Sequence, residues 1–324
     1  KESEHDLFTI GHTSTSLSLA SGILHARDLK NEKSNVVAII GDGALSGGMA
    51  YEGLNTIATL GTNAIIIIND NDQSIAKNPK GGIYTALESL RETKGQTTNN
   101  IFKALGYDYH YLEDGNNLEE LISLFKEVKD IDRPVVLHIY TEKGKGFEPA
   151  ERNHEKFHAG GPFSLETGEY IKKGAVTSTY NGITSEYLTK KLKEDPLAVV
   201  INAGTPGIVF NRKLREELGS QFIDVGIAEE QAATMTTGLA KNGAKPVWAV
   251  LSTFLQRTYD QLSHDMALNN QAGVVLVYSA SINSMNDESH LGFFDIPFIS
   301  HIPNFVYLAP TNKEEHLTML EWAI

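Results

Sequence analysis

Two apolar runs, Val36 to Ile40 and Ala64 to Ile68, each give way at once to acidic and amide residues. Runs of this kind read as strands buried on both faces of a parallel sheet, with chemistry delivered at their C-terminal ends. Met49 to Leu60, between them, reads as a helix, and a third run, Pro134 to Ile139, follows the helical stretch Leu118 to Val128. The alternation predicts a parallel sheet with helices on both faces. Ala76 to Asn100 carries Pro79, Gly81, Gly82 and Gly95 without a sustained apolar period, and is expected to be largely loop. Lys143 to Tyr170, rich in Gly, Pro and charge, reads as a linker or strap. Beyond it the alternation resumes, with helices at 186–192, 232–241 and 262–268 and strands at 198–202, 247–250, 274–278 and 306–309. The expected fold class is α/β: two doubly wound domains, 1–142 and 177–324, joined by a strap at 143–176.

A chain of 324 residues, 41% of them apolar, is long enough to bury two such cores. The net charge of −13 argues against a nucleic-acid or anionic-membrane partner, which would demand a basic surface. No cysteine is present, so disulfides, thiolate catalysis and Cys-ligated zinc are excluded. No apolar run approaches the roughly 18 to 20 residues that cross a bilayer, and Lys1 to Asp6 is charged rather than signal-like, so a cytoplasmic location is expected. The chain lacks a starting Met and stops within an apparent amphipathic helix, the pattern expected of a trimmed chain. Chemistry must come from His, Asp, Glu or a cofactor.

The sharpest local signal is Gly41-Asp42-Gly43-Ala44 directly after the first buried strand, with Asn69-Asp70-Asn71 directly after the second. Asp42 and Asn71 could supply hard oxygen ligands to one Mg²⁺, with diphosphate oxygens and water completing the octahedron. Gly41 and Gly43 allow close backbone approach, and the following helix N-terminus favours an anion. Either motif alone reads equally well as an ordinary turn. No G-x-G-x-x-G with an acidic partner and no P-loop is present. A second signal is Asp224 to Ala232, where Glu229 sits at a helix start; on its own it reads as a carboxylate stabilised by the helix dipole.

Gly-Asp-Gly, 27 intervening residues and Asn71 resemble the thiamine diphosphate motif of transketolases, pyruvate decarboxylases and their relatives. Longer stretches resemble the 1-deoxy-D-xylulose-5-phosphate synthase family: Glu4-His5-Asp6 with Gly11 to Ser16, Lys143 to Glu151 with Phe157-His158-Ala159, and Ser252 to Arg257 with Tyr259-Asp260-Gln261 and His264-Asp265. The resemblance implies a diphosphate- and Mg²⁺-binding domain followed by a pyrimidine-binding domain, with the family's C-terminal domain not in this chain. It implies Mg²⁺ on Asp42, Asn71 and the carbonyl of Gln73. Gly11, His12, Thr13, Gly43, Ala44 and Phe147 would line the diphosphate and thiazolium, and Phe254 would stack on an aminopyrimidine held by Glu229. His12, His158 and His290 would move protons, with Arg257 and His290 near substrate.

The implied reaction condenses pyruvate, decarboxylated, with glyceraldehyde 3-phosphate, in a homodimer serving isoprenoid and thiamine biosynthesis. Four positions depart from the family pattern: Glu230 after Glu229, Leu251 for a Tyr, Ser279 for an Arg and Asn286 for an Asp. Replacing Arg by Ser removes a bidentate phosphate fork. A transketolase-like enzyme with another donor or acceptor therefore stands beside the first reading, and a non-catalytic homologue is a third. The segment after Asn71 is also shorter than in the family.

Overall fold

A computed structural model describes residues 3–79, 81–171, 179–281 and 288–324. Asn286 and the junction at Thr177 lie outside them. The chain divides into two compact units, Thr13–Lys172 and Lys1–His12 with Lys173–Ile324. The first twelve residues thus group with the later part of the chain, and the strap groups with the earlier part.

The first unit is built on four parallel strands, β1 (Val37–Gly41), β2 (Ala64–Asp70), β3 (Asp108–Leu112) and β4 (Pro134–Tyr140), in the order β1-β2-β4-β3. One face packs Ala38, Ile40, Ile66, Ile68 and Val136 against Leu17 and Leu24 of helix Ser16–Leu29 and Leu54 and Ile57 of helix Gly48–Leu60. The other packs Ile65, Ile67, Val135 and Leu137 against Val128, Leu124 and Phe125 from the end of helix Leu118–Val128. This two-sided burial is why β2 and β4 read as unbroken apolar runs. The edge strand β1 keeps Val37 and Ile39 exposed. The register sets Gly41 opposite Asn69 and Asp70 opposite Tyr140, so β1, β2 and β4 end side by side.

The second unit has β5 (Ala198–Asn202), β6 (Phe222–Asp224), β7 (Lys245–Leu251) and β8 (Val274–Tyr278), all parallel, in the order β6-β5-β7-β8. Ile201, Trp248 and Val250 face helix Glu229–Lys241 and the π-helix Gln261–Leu268. Val200, Val247 and Ala249 face Leu188 and Leu192 of helix Tyr180–Glu194. Both units are therefore α/β, with parallel sheets covered on two faces. Among the described residues no helix is long and apolar enough to cross a membrane.

Several local expectations give way. Residues 76–100 are not loop throughout, because helix Gly82–Glu92 interrupts them and buries Tyr84, Leu87 and Leu90 on one stripe. That stripe is three residues wide and flanked by glycines, too short for periodicity to register. Residues 306–309 form no strand; Val306, Tyr307 and Leu308 are exposed and have no sheet neighbour to hold them. The strap contains short helices at Glu148–Arg152 and His154–His158. β3 and β6 are additional strands, each only partly buried along its length, which is why neither stands out as an apolar run.

Candidate functional site

At the ends of β1 and β2, Asp42 is 2% exposed. Its Oδ2 accepts from the Gln73 backbone N–H at 3.1 Å and from Asn78 Nδ2 at 2.6 Å. Burial, with the charge of Asp70 behind it, pushes the Asp42 carboxyl up to about 7. Asn71 Oδ1 accepts from the same Gln73 N–H at 3.1 Å, which curls residues 71–73 into a tight turn. Asp42, Asn71 and Gln73 are thus brought together by two hydrogen bonds to one N–H. Ser14, on a left-handed φ of 73°, donates from Oγ to the Ala44 carbonyl at 2.7 Å and ties the Thr13 segment to the Gly43-Ala44 turn.

These oxygens fit a hard divalent cation shared with a diphosphate. Among the described residues no three His, Asp or Glu side chains converge as a metal site. One carboxylate, an amide oxygen and a backbone carbonyl suit Mg²⁺, which keeps waters and leans on phosphate oxygens. Two further observations agree. Asn78 Oδ1 is buried without a hydrogen-bond partner. A Cβ added at Gly41 would meet no atom within 4 Å, and its φ is not left-handed, so neither packing nor backbone demands glycine there.

Beneath the turn, Asp70 is fully buried. Arg91 Nη1 donates to its two oxygens at 2.8 and 2.6 Å, and His138 Nε2 donates to Oδ2 at 2.8 Å. His138 Nδ1 meets the Tyr109 hydroxyl at 2.8 Å. Burial pushes the Asp70 carboxyl up, but the bonds from His138 and Arg91 outweigh it and hold it below its ordinary value. Arg91→Ala is expected to cost about 3–5 kcal/mol, because it strips the guanidinium from a buried carboxylate. A lower urea midpoint of the full-length protein would register this, whereas an unchanged midpoint would mean that His138 alone suffices.

In the strap, Lys143 Nζ donates to the Ser74 carbonyl and to His158 Nδ1, the latter at 2.9 Å. An ammonium can only donate, so His158 carries its ring proton on Nε2. Burial, and then the Lys143 charge, lowers the His158 pKa. Phe147 packs with Phe157 and Phe163, ring centroids 5.5 Å away in each case.

The second unit gathers another group. The rings of His12, Phe254 and His290 meet edge to face, with centroids 5.0 Å apart for His12–Phe254, 5.6 Å for His12–His290 and 5.5 Å for Phe254–His290. His12 Nε2 lies 2.7 Å from Thr253 Oγ1, whose own proton goes to the Ser289 carbonyl at 3.2 Å, so Nε2 is the donor. Burial, followed by the charges of Arg257 and His290, lowers the His12 pKa. Gly11 is required here: a Cβ would fall 2.0 Å from Ser289 Cβ. Glu229, 2% exposed, opens helix Glu229–Lys241, and Arg257 Nη1 donates to its Oε2 at 3.1 Å. Burial raises the Glu229 pKa against the pull of Arg257. Ser279, at the end of β8, has a φ of 56°.

Sequence reasoning missed Asn78, Thr253, Ser289 and the partnership of Lys143 with His158. Thr253 and Lys143 lay within stretches singled out for the family resemblance. Asn78, before a proline, carried no signal beyond that of a turn.

Residues 1–97 and 83–141 match the family model described as 1-deoxy-D-xylulose-5-phosphate synthase, and residues 177–324 match that of the transketolase pyrimidine-binding domain. A 1-deoxy-D-xylulose-5-phosphate synthase of Listeria monocytogenes is 41% identical over 330 residues, which cover 100% of this chain and 54% of the relative. One from Clostridium acetobutylicum is 40% identical over 362 residues, covering 100% and 57%. The chain spans about half the length of these curated relatives. A transketolase structure from Campylobacter jejuni overlaps 96% of this chain and 58% of its own, with a TM-score of 0.41 and 16% identity. The two domain matches, in this order, with identity to the relatives along the whole chain, show that the chain belongs to the 1-deoxy-D-xylulose-5-phosphate synthase family.

Proposed function

We propose that the intact protein is a thiamine diphosphate- and Mg²⁺-dependent transferase that decarboxylates pyruvate and joins the remaining two-carbon unit to glyceraldehyde 3-phosphate, giving 1-deoxy-D-xylulose 5-phosphate. The observation that carries this reading is the buried Glu229 carboxyl at a helix start within a pyrimidine-binding domain. Bound thiamine diphosphate supplies an acidic thiazolium carbon that becomes a nucleophile toward keto groups once its proton is removed.

Each remaining role falls to this chain's residues. Asp42, Asn71 and the Gln73 carbonyl hold the cation, while Gly11, His12, Thr13, Gly43, Ala44 and Phe147 line the diphosphate and thiazolium. Glu229, with its pKa raised, keeps a proton available for N1′ of the aminopyrimidine, against which Phe254 stacks. His158 offers the proton on Nε2, the atom left after Lys143 occupies Nδ1. His12 and His290 serve the carbonyl oxygens of donor and acceptor. Arg257 tunes Glu229 from one side and lies near substrate. The enzyme works as a cytoplasmic homodimer.

A second reading is favoured by Ser279 and Leu251, which replace the family's Arg and Tyr: the same cofactor chemistry on a different aldehyde or ketose. To separate the two, the full-length protein is incubated with thiamine diphosphate, Mg²⁺ and pyruvate, with and without glyceraldehyde 3-phosphate, and CO₂ release and product mass are followed. Aldehyde-triggered release with deoxyxylulose phosphate supports the first reading. Turnover only with ketose donors supports the second, and absence of cofactor binding overturns both.

A further inference from the structure

Asn78 lies beyond the residues that the family motif assigns to the cation, yet it makes the shortest bond to Asp42. It is 7% exposed, and its backbone N–H donates to the Asp72 carbonyl at 3.2 Å, which closes the loop that begins at Asn71. Only its NH₂ can bond a carboxylate, so the 2.6 Å contact to Asp42 Oδ2 fixes the amide's orientation. Oδ1 is consequently turned the other way, buried and without a partner. An amide oxygen left unbonded in the interior forfeits its hydration without compensation, and folded proteins rarely leave one so. The neighbouring groups explain which ligand would relieve it. A hydrated divalent cation presents water protons, and Mg²⁺ gives up its waters reluctantly.

Resting on the reading of Asp42 as a cation ligand, we propose that Asn78 is a positioning residue of the cation half-site. Nδ2 holds the Asp42 carboxylate in place, and Oδ1 takes a hydrogen bond from a water that the cation retains. The loop from Asn71 to Asn78 thereby couples cation binding to its own closure, since Gln73 and Asn78 both bond the same Asp42 oxygen.

The test is a Mn²⁺ titration, read by electron paramagnetic resonance, of the full-length protein with saturating thiamine diphosphate. Wild type is compared with Asn78→Leu, which is near-isosteric, and Asn78→Ala; thermal unfolding in EDTA is measured alongside. The expected result is a rise in the Mn²⁺ Kd on the order of tenfold or more in both variants, about 1.4 kcal/mol. Melting in EDTA is expected to fall less than melting with the cation bound, because the Nδ2 bond lost to Asp42 is partly offset by removal of the unbonded carbonyl. Mn²⁺ affinities within twofold of wild type would overturn the proposal, as would an equal loss of stability with and without cation, the mark of a purely structural Asn78. If Leu prevents folding, Ala decides between these outcomes. Wild type that binds no Mn²⁺ removes the cation reading of Asp42 and this proposal with it, whereas a wild type that binds beside unaffected variants removes only this proposal.

Discussion

Asp42→Asn is expected to make the cation-free protein more stable at pH 8 while weakening its hold on a divalent cation by a hundredfold or more, on the order of 3 kcal/mol. The stability gain follows from the carboxyl's pKa, raised from 3.8 to about 7. Between those values the folded state binds more protons than the unfolded state, so stability falls as pH rises. Above the folded value the full cost is present, on the order of 4 kcal/mol. Asn keeps an oxygen to accept from Gln73 and Asn78 but carries no charge, and the cost disappears with it. Melting in EDTA at pH 4 and pH 8 checks the sign: the variant's advantage should be several degrees at pH 8 and should vanish near pH 4. An advantage that does not grow with pH would mean that Asp42 is not ionised at a cost. Surviving Mn²⁺ binding would remove Asp42 from the cation site.

The second large effect is expected at Glu229. Glu229→Gln should lower kcat by about 10²–10⁴-fold, the range for loss of a positioned proton-transfer group. The Kd for thiamine diphosphate should move far less, because the amide retains the shape and a hydrogen-bonding end. Burial raises the Glu229 pKa, so its ionisation also costs stability as pH rises, and the Gln variant should unfold no earlier than wild type at neutral pH. Turnover kinetics set beside cofactor titration decide the matter. A variant with near-normal kcat would assign the proton relay elsewhere, whereas parallel loss of cofactor binding and stability would make Glu229 structural.

These outcomes bear on how such a site is written into a chain. β2 and β4 were legible as buried parallel strands because burial on both faces leaves no polar alternation, and the runs of β1 and β2 placed Asp42 and Asn71 at neighbouring strand ends. Their meeting needed no tertiary information beyond adjacency of two parallel strands, since Gly41 pairs with Asn69. Glu229 was legible from its motif, but its energetic state was not: burial depends on helix Glu229–Lys241 packing onto β7, and the counter-charge comes from Arg257, 28 residues on. Helix Gly82–Glu92 escaped notice because its apolar stripe has only three members. Its Arg91 is nevertheless what neutralises Asp70.

By itself, then, the sequence determined the two α/β units, the strand ends at which the candidate ligands Asp42 and Asn71 emerge, and the family, since each is encoded by local pattern or by motif spacing. Tertiary structure alone decided the pairings that set protonation and position: Asn78 on Asp42, Lys143 on His158, Arg257 on Glu229, and His12 through Thr253 onto Ser289. The physical reason is that a pKa or a fixed amide depends on burial and on partners distant in the chain, and neither is a property of any short run of residues.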